Sequence, residues 1–254
     1  MRRMLILGGT TEARALAEQL APRRDLAVTL SLAGRTANPV AQPVPVRSGG
    51  FGGAQGLAAY LVRERIDLLI DATHPYAAIM SAHAVAAARS AGVSLLALRR
   101  APWIAVAGDR WIEVADGRAA VQALGEAPRR VFLALGRNDL APFTAAPQHF
   151  YLVRSVDPVE PPLAVPHARY LTGRGPFVQA DEHDLLAAHN VEIVVCKNSG
   201  GDATYGKIAA ARALGRTVVM LRRPALPAVP AVATIADALA WINHGHAPSA
   251  AREV

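Results

Sequence analysis

The chain has 254 residues, 52% of them hydrophobic and only 5% aromatic, and its 27 basic against 20 acidic side chains leave a net charge of +7. That length suits one large α/β domain or two of roughly 100 to 130 residues, and an Ala-, Val- and Leu-rich composition argues against an aromatic-rich β-sandwich. A lone cysteine, Cys196, excludes an intramolecular disulfide and forms no recognisable zinc set, so no metal and a reducing, cytoplasmic compartment are expected.

The basic start Met1-Arg2-Arg3 leads into an apolar run too short for an export signal, and no apolar stretch reaches the length of a bilayer span. Residues 3–7, 27–32, 67–71 and 93–97 read as strands, and residues 11–21, 54–64 and 76–91 between them carry helical periodicity. Strands that are short, apolar on both faces and joined by crossovers predict a doubly wound parallel sheet over residues 1–100.

The turns of this half carry the chemistry. Gly8-Gly9-Thr10-Thr11-Glu12-Ala13 follows the first strand and opens a helix, so backbone N–H groups face a place where a pyrophosphate can sit. It departs from G-x-G-x-x-G at Thr10 and Ala13, and a plain βα turn with Thr10 or Thr11 as N-cap explains the same residues. The second strand ends in Ser31-Leu32-Ala33-Gly34-Arg35-Thr36, with no acid to hold ribose hydroxyls. A hydroxyl and a guanidinium there suit a 2′-phosphate and point to NADPH over NADH.

Gly49-Gly50-Phe51-Gly52-Gly53 allows close backbone approach to a ligand, with a flexible surface loop as the alternative. Asp71-Ala72-Thr73-His74-Pro75-Tyr76 then gathers a carboxylate, a hydroxyl, an imidazole and a phenol at the carboxyl edge of the sheet. Thr73 and His74 join the cofactor set, and His74 and Tyr76 are candidates for lining a nicotinamide or donating a proton. Structural hydrogen bonding is the other reading of His74.

Residues 101–126 read as a junction with a short strand at 111–114 and a helix from 116. Residues 127–254 read as a second α/β domain, with strands at 131–135, 150–153, 168–171, 192–196 and 217–221. Helices are expected at 181–189, 203–214 and 234–243, a proline-rich surface loop at 158–166, and a frayed tail at 247–254. Lys197-Asn198-Ser199-Gly200-Gly201 follows a strand, with Lys207 on the next helix, and together they make an anion cradle. Arg137, Arg154 and Arg174 lie just past other strand ends. Four basic strand-end loops on one domain suit a polycarboxylate, whereas basic residues scattered along the chain disfavour nucleic acid.

These motifs resemble the precorrin-6A reductase family along nearly the whole chain. The resemblance rests on residues 5–13, Gly49-Gly50-Phe51-Gly52, residues 71–77 and Lys197-Asn198-Ser199-Gly200-Gly201. It implies hydride transfer from NADPH to a ring double bond of a cobalamin precursor, with the cofactor on the N-terminal domain, the polycarboxylate tetrapyrrole held by the C-terminal one, and a cleft between them. It implies Tyr76 and Lys197 as groups near the reacting ring, with His74, Tyr76, Lys197 or bulk water as the proton source. No triad is needed, because alignment and water exclusion do most of the work. A monomer is expected. The alternatives are reduction of the cobalt-containing substrate and a noncatalytic nucleotide- or corrinoid-binding module.

Overall fold

The computed structural model describes residues 1–34 and 40–244, and the chain divides into two compact units. Arg35, Thr36 and the expected tail at 247–254 lie outside the described residues. The first unit is built from β1 (Arg2–Leu7), α1 (Thr11–Leu20), β2 (Leu26–Leu32), β3 (Val46–Ser48), α2 (Gly53–Arg63), β4 (Leu68–Asp71), α3 (Ala78–Ala91) and β5 (Ser94–Leu98). The second contains β6 (Arg110–Val114), α4 (Gly117–Leu124), β7 (Arg130–Ala134), β8 (Phe150–Ser155), β9 (Ala168–Thr172), α5 (Gln179–Ala188), β10 (Ile193–Lys197), α6 (Gly206–Ala213) and β11 (Thr217–Leu221). β12 (Ala231–Val232) and α7 (Ile235–Asn243) then return to the first unit.

Each unit holds one six-stranded sheet with every pair parallel, in the order β12-β5-β4-β1-β2-β3 for the first and β6-β11-β10-β7-β8-β9 for the second. The two orders are the same doubly wound pattern. Strand order reverses between β1 and β4 in one sheet and between β7 and β10 in the other, which is where α/β folds open a crevice.

Alternation along β1 shows why the sheet is covered twice. Met4 and Ile6 pack with Ala13, Leu16, Ala17 and Leu20 of α1 and with Ala238 and Ile242 of α7, whereas Leu5 and Leu7 pack with Leu57 and Leu61 of α2 and Ala84, Ala87 and Ala88 of α3. In the second unit Phe132, Val194, Cys196, Val218 and Met220 face Leu186 of α5 and Ile208 and Ala211 of α6. Cys196 is thus a core side chain, and burial pushes its thiol up to about 11.

The domain boundaries differ from the sequence reading in two places. Residues 101–126 are no junction, because β6 pairs with β11 and belongs, with α4, to the second unit. The described chain from Pro224 leaves that unit, and β12 pairs with β5. The first sheet therefore takes its sixth strand, with the helix after it, from the stretch that follows the whole second unit, whereas the second unit is continuous. Local hydrophobic pattern identifies a strand but cannot say which sheet receives it. Two short edge strands, β3 and β12, were also not expected, and α3 and α6 begin at Ala78 and Gly206, later than the periodicity predicts.

At the amino end of β8, His149 is fully buried, its Nδ1 accepts the Arg129 amide at 3.1 Å, and its ring meets Tyr151 edge-on. Burial lowers the His149 pKa from 6.5. The unfolded chain therefore binds the proton more readily than the folded one, so stability is complete above about pH 6.5 and falls as pH drops below it. His149→Asn, which keeps an acceptor near the Nδ1 position, is expected to flatten the loss of thermal stability between about pH 7.5 and about pH 5.5. Equal slopes in denaturation scans of the two proteins would contradict this.

Candidate active site

In the first unit the reversal point is closed by one hydroxyl. Thr10 N-caps α1 by accepting the Ala13 amide at 3.1 Å and donates to the Ala72 carbonyl at 2.9 Å, joining the turns after β1 and β4. Gly9 adopts φ +109°, a conformation that an L side chain rarely takes, so this turn needs glycine. A Cβ on Gly8 would sit 2.6 Å from Leu30 Cδ1, so its absence lets the turn lie against β2. Thr11 follows on the exposed side.

Asp71, buried at the end of β4, accepts from the Thr73 hydroxyl at 2.6 Å, the Thr73 amide at 3.2 Å and the Ser81 hydroxyl of α3 at 2.6 Å. It organises the loop. His74 Nδ1 accepts the Tyr76 amide at 3.3 Å, which puts the proton of a neutral ring on Nε2, and the two rings lie 5.6 Å apart. Thr10, Glu12, Thr73, Pro75, Leu98 and Arg100 line a small recess beside this turn. Glu12 and Arg100 form a 2.5 Å ion pair across it, which cancels the acid's charge at the start of α1. Sequence reading missed this pair because 88 residues separate its members.

At the β2 edge, Ser31 is buried and Gly34 takes φ +70°. Gly50, Phe51 and Gly52 form the turn before α2, and Gly52 N-caps that helix in the left-handed region. Phe51 meets Tyr60 of α2 edge-on at 5.2 Å. The side chain that holds this turn is Arg47 of β3, which donates to the Gly49 and Gly50 carbonyls and covers the Phe51 ring. Sequence reading missed it, although it stands two residues before the glycine run.

In the second unit the reversal point is ionic. Lys197, the last residue of β10, reaches Asp139 beyond β7 at 2.7 Å. Asn198 is committed to the fold, since its amide accepts from the Trp103 N–H at 2.8 Å and donates to the Trp103 carbonyl at 2.9 Å. The Trp103 indole donates to Gly201 O at 2.8 Å, and Arg223 donates to the carbonyls of Asn198 and Ser199 at 2.9 and 3.1 Å. Gly200 and Gly201 both have positive φ, which shapes this loop.

Three of the residues expected at the substrate also have partners within the fold. Asn198 anchors the backbone at Trp103. Arg154 makes a bidentate ion pair with Glu182 of α5, with both side chains buried, and its guanidinium lies 3.7 Å from the Phe177 ring. Lys207 is 4% exposed, and its ammonium bonds to Thr204 O at 2.6 Å and lies 4.9 Å from the Trp103 ring. These partners were not legible because sequence shows a polar or charged side chain but not the group that engages it. Arg137 and Arg174 are exposed at the same edge. Among the described residues no cluster of His, Cys, Asp or Glu is arranged to hold a metal, and no helix is long and apolar enough to cross a membrane.

Two parallel doubly wound sheets with glycine turns at their reversal points define a Rossmann-like α/β protein of two units. The profile of the family described as Precorrin-6x reductase CbiJ/CobK matches residues 3–243, and the chain belongs to that family. It is 53% identical to the precorrin-6A reductase of Rhodobacter capsulatus, over 98% of this chain and 99% of that protein. The precorrin-6A reductase of Mycobacterium tuberculosis is 42% identical over 95% of this chain and 98% of its own. The cobalt-precorrin-6A reductase of Salmonella typhimurium is 29% identical over 87% of each. A solved structure of "CobK precorrin-6A reductase" superposes with a TM-score of 0.93 at 52% identity, covering 98% of this chain and 99% of its own.

Glu182→Gln should destabilise the protein by about 3 kcal/mol, because it leaves the Arg154 guanidinium buried without its counter-charge. Chemical denaturation measures this, and a change under about 1 kcal/mol would show that Arg154 does not depend on Glu182 as its counter-charge. Asp71→Asn should cost roughly 1 to 3 kcal/mol by breaking the hydroxyl bonds from Thr73 and Ser81. Its faster amide exchange should be confined to residues 72–81, and uniform exchange would show that Asp71 does not organise this turn.

Proposed function

We propose that this protein reduces a ring double bond of precorrin-6A with NADPH, giving precorrin-6B in cobalamin biosynthesis. The observation that carries the reading is the Gly8–Thr10 turn at the start of α1, tied to Ala72 where the strand order reverses. The turn fits a dinucleotide. Glycine with positive φ keeps side chains away from the turn, α1 offers its N-terminus, and Arg100 neutralises the one acid at that end.

Gly8, Gly9, Thr10 and Thr11 would hold the pyrophosphate, with Gly50, Phe51 and Gly52 alongside. Ser31, Gly34, Arg35 and Thr36 would receive the adenosine ribose and its 2′-phosphate. Thr73 and His74 would flank the nicotinamide, which supplies the reducing equivalent when bound. His74 would hold a proton on Nε2 for the ring carbon adjacent to the one reduced, with Tyr76 positioning the imidazole through its amide. Arg137, Arg174, Lys197, Ser199, Gly200 and Gly201 would bind carboxylate arms of the substrate, with Asp139 holding Lys197 until a carboxylate replaces it. The enzyme would act as a cytoplasmic monomer, since a single chain supplies every group in this scheme.

Higher identity favours the metal-free substrate over the cobalt form. The relatives at 42% identity and above are named precorrin-6A reductases, and those named cobalt-precorrin-6A reductases reach only 29%. Anaerobic incubation with metal-free precorrin-6A should consume NADPH and give a product heavier by two hydrogens. NADH should be a poor substitute. His74→Asn should lower kcat roughly 100-fold at neutral pH while leaving NADPH affinity within about threefold. Turnover only with the cobalt substrate, or tight nucleotide binding without turnover, would overturn the proposal.

A further inference from the structure

Arg47 has a position and a charge that the proposed cofactor contacts do not use. It lies on β3 directly beside Ser31 of β2, as its Cα partner in the parallel ladder. Its Nη1 approaches the Ser31 hydroxyl at 3.4 Å and also donates to the Gly49 carbonyl, and Nη2 donates to the Gly50 carbonyl at 2.5 Å. The guanidinium carbon sits 3.7 Å from the Phe51 ring centroid, and Phe51 is itself braced by Tyr60. The group is held in one orientation at the carboxyl end of β2.

The partners of Arg47 differ from those of the ion-paired cations and resemble those of Lys207 and Arg223 in the second unit, which also meet carbonyls. Arg23, Arg100, Arg154, Lys197 and Arg212 each face a carboxylate. Arg47 meets neutral carbonyls, a hydroxyl and a ring face, and among the described residues no carboxylate pairs with it. Its positive charge is fixed but not cancelled. The end of β2 is where dinucleotide folds read the ribose 2′ position, and Leu32-Ala33-Gly34 places no acid there. A fixed guanidinium has its orientation already restricted, so a phosphate gains the charge-assisted bonds with little further ordering.

We infer that Arg47 is a specificity-determining residue that selects the 2′-phosphorylated dinucleotide, with the Ser31 hydroxyl as its companion. The inference rests on the cofactor reading proposed above and adds a residue to it. A merely structural Arg47 would support both dinucleotides equally, because both need the same glycine turn.

Calorimetric titration of NADP⁺ and NAD⁺, and of 2′,5′-ADP and ADP, into the intact protein separates these cases without any substrate. The wild type should prefer the 2′-phosphorylated member of each pair. Arg47→Gln, which can still donate to a loop carbonyl, should weaken NADP⁺ and 2′,5′-ADP roughly 10- to 100-fold and leave NAD⁺ and ADP within about threefold. Arg47→Lys should fall between, keeping the charge but losing the planar fork. Retained NAD⁺ affinity reports that the variants are folded. Equal weakening of both nucleotides, or an unchanged preference, overturns the role of Arg47 and leaves the cofactor reading standing. A wild type that binds neither nucleotide, or both alike, overturns the two together.

Discussion

The hydrogen bond from the Thr10 hydroxyl to the Ala72 carbonyl holds together the place on which the first unit's chemistry depends. Where strand order reverses, the chain after β1 leaves to one face of the sheet and the chain after β4 to the other, so two backbone ends separate with unpaired polar groups. Thr10 meets both demands with a single oxygen, since it donates across the gap and accepts the Ala13 amide of α1. Asp71 performs the matching task on the β4 side, gathering Thr73 and Ser81 so that His74 and Tyr76 leave the strand end in a defined turn. The turns are ordered by internal bonds before any ligand arrives, which lowers the entropic cost of binding one.

The second unit solves the same topological problem with charge. Its reversal point is spanned by the Lys197–Asp139 pair, and the loop after β10 is fastened by the Asn198 amide, the Trp103 indole and Arg223. Arg154 is neutralised by Glu182 and Arg212 by Asp109, so neither contributes much to the field outside the protein. Of the cations expected at the substrate, Arg137 and Arg174 are exposed, and Lys197 is shared with Asp139. A net charge of +7 is thus less informative about the site than the few cations exposed at this sheet edge.

Most strands were legible because a parallel strand covered on both faces is a continuous apolar run, as in Met4-Leu5-Ile6-Leu7 of β1 and Ile193-Val194-Val195-Cys196 of β10. The glycine turns were legible for the same local reason. Partnerships across sequence were not. Glu182 lies 28 residues from Arg154, and Trp103 lies 95 from Asn198, and no local pattern couples either pair. β3 and β12, with three and two residues, are too short to show a period. Arg47 was hidden by that shortness, since its importance comes from the strand that sets it beside Ser31.

The return of β12 and α7 ties the stability of the first unit to chain that lies beyond the second. Ala238 and Ile242 of α7 are buried in the same cluster as Met4, Ile6 and Leu16, so the first unit's core is completed only by residues that follow the whole second unit. β6 and α4, by contrast, lie within the continuous second unit, with Val114, Ala120 and Leu124 buried. A cut at residue 101 would leave the first sheet without β12 and α7, and a cut at 223 would remove the same pair from an otherwise intact chain. The first unit is therefore discontinuous in sequence and the second continuous. Because loss of β12 and α7 exposes apolar surface on the first sheet, folding of the first unit depends on chain that follows the second.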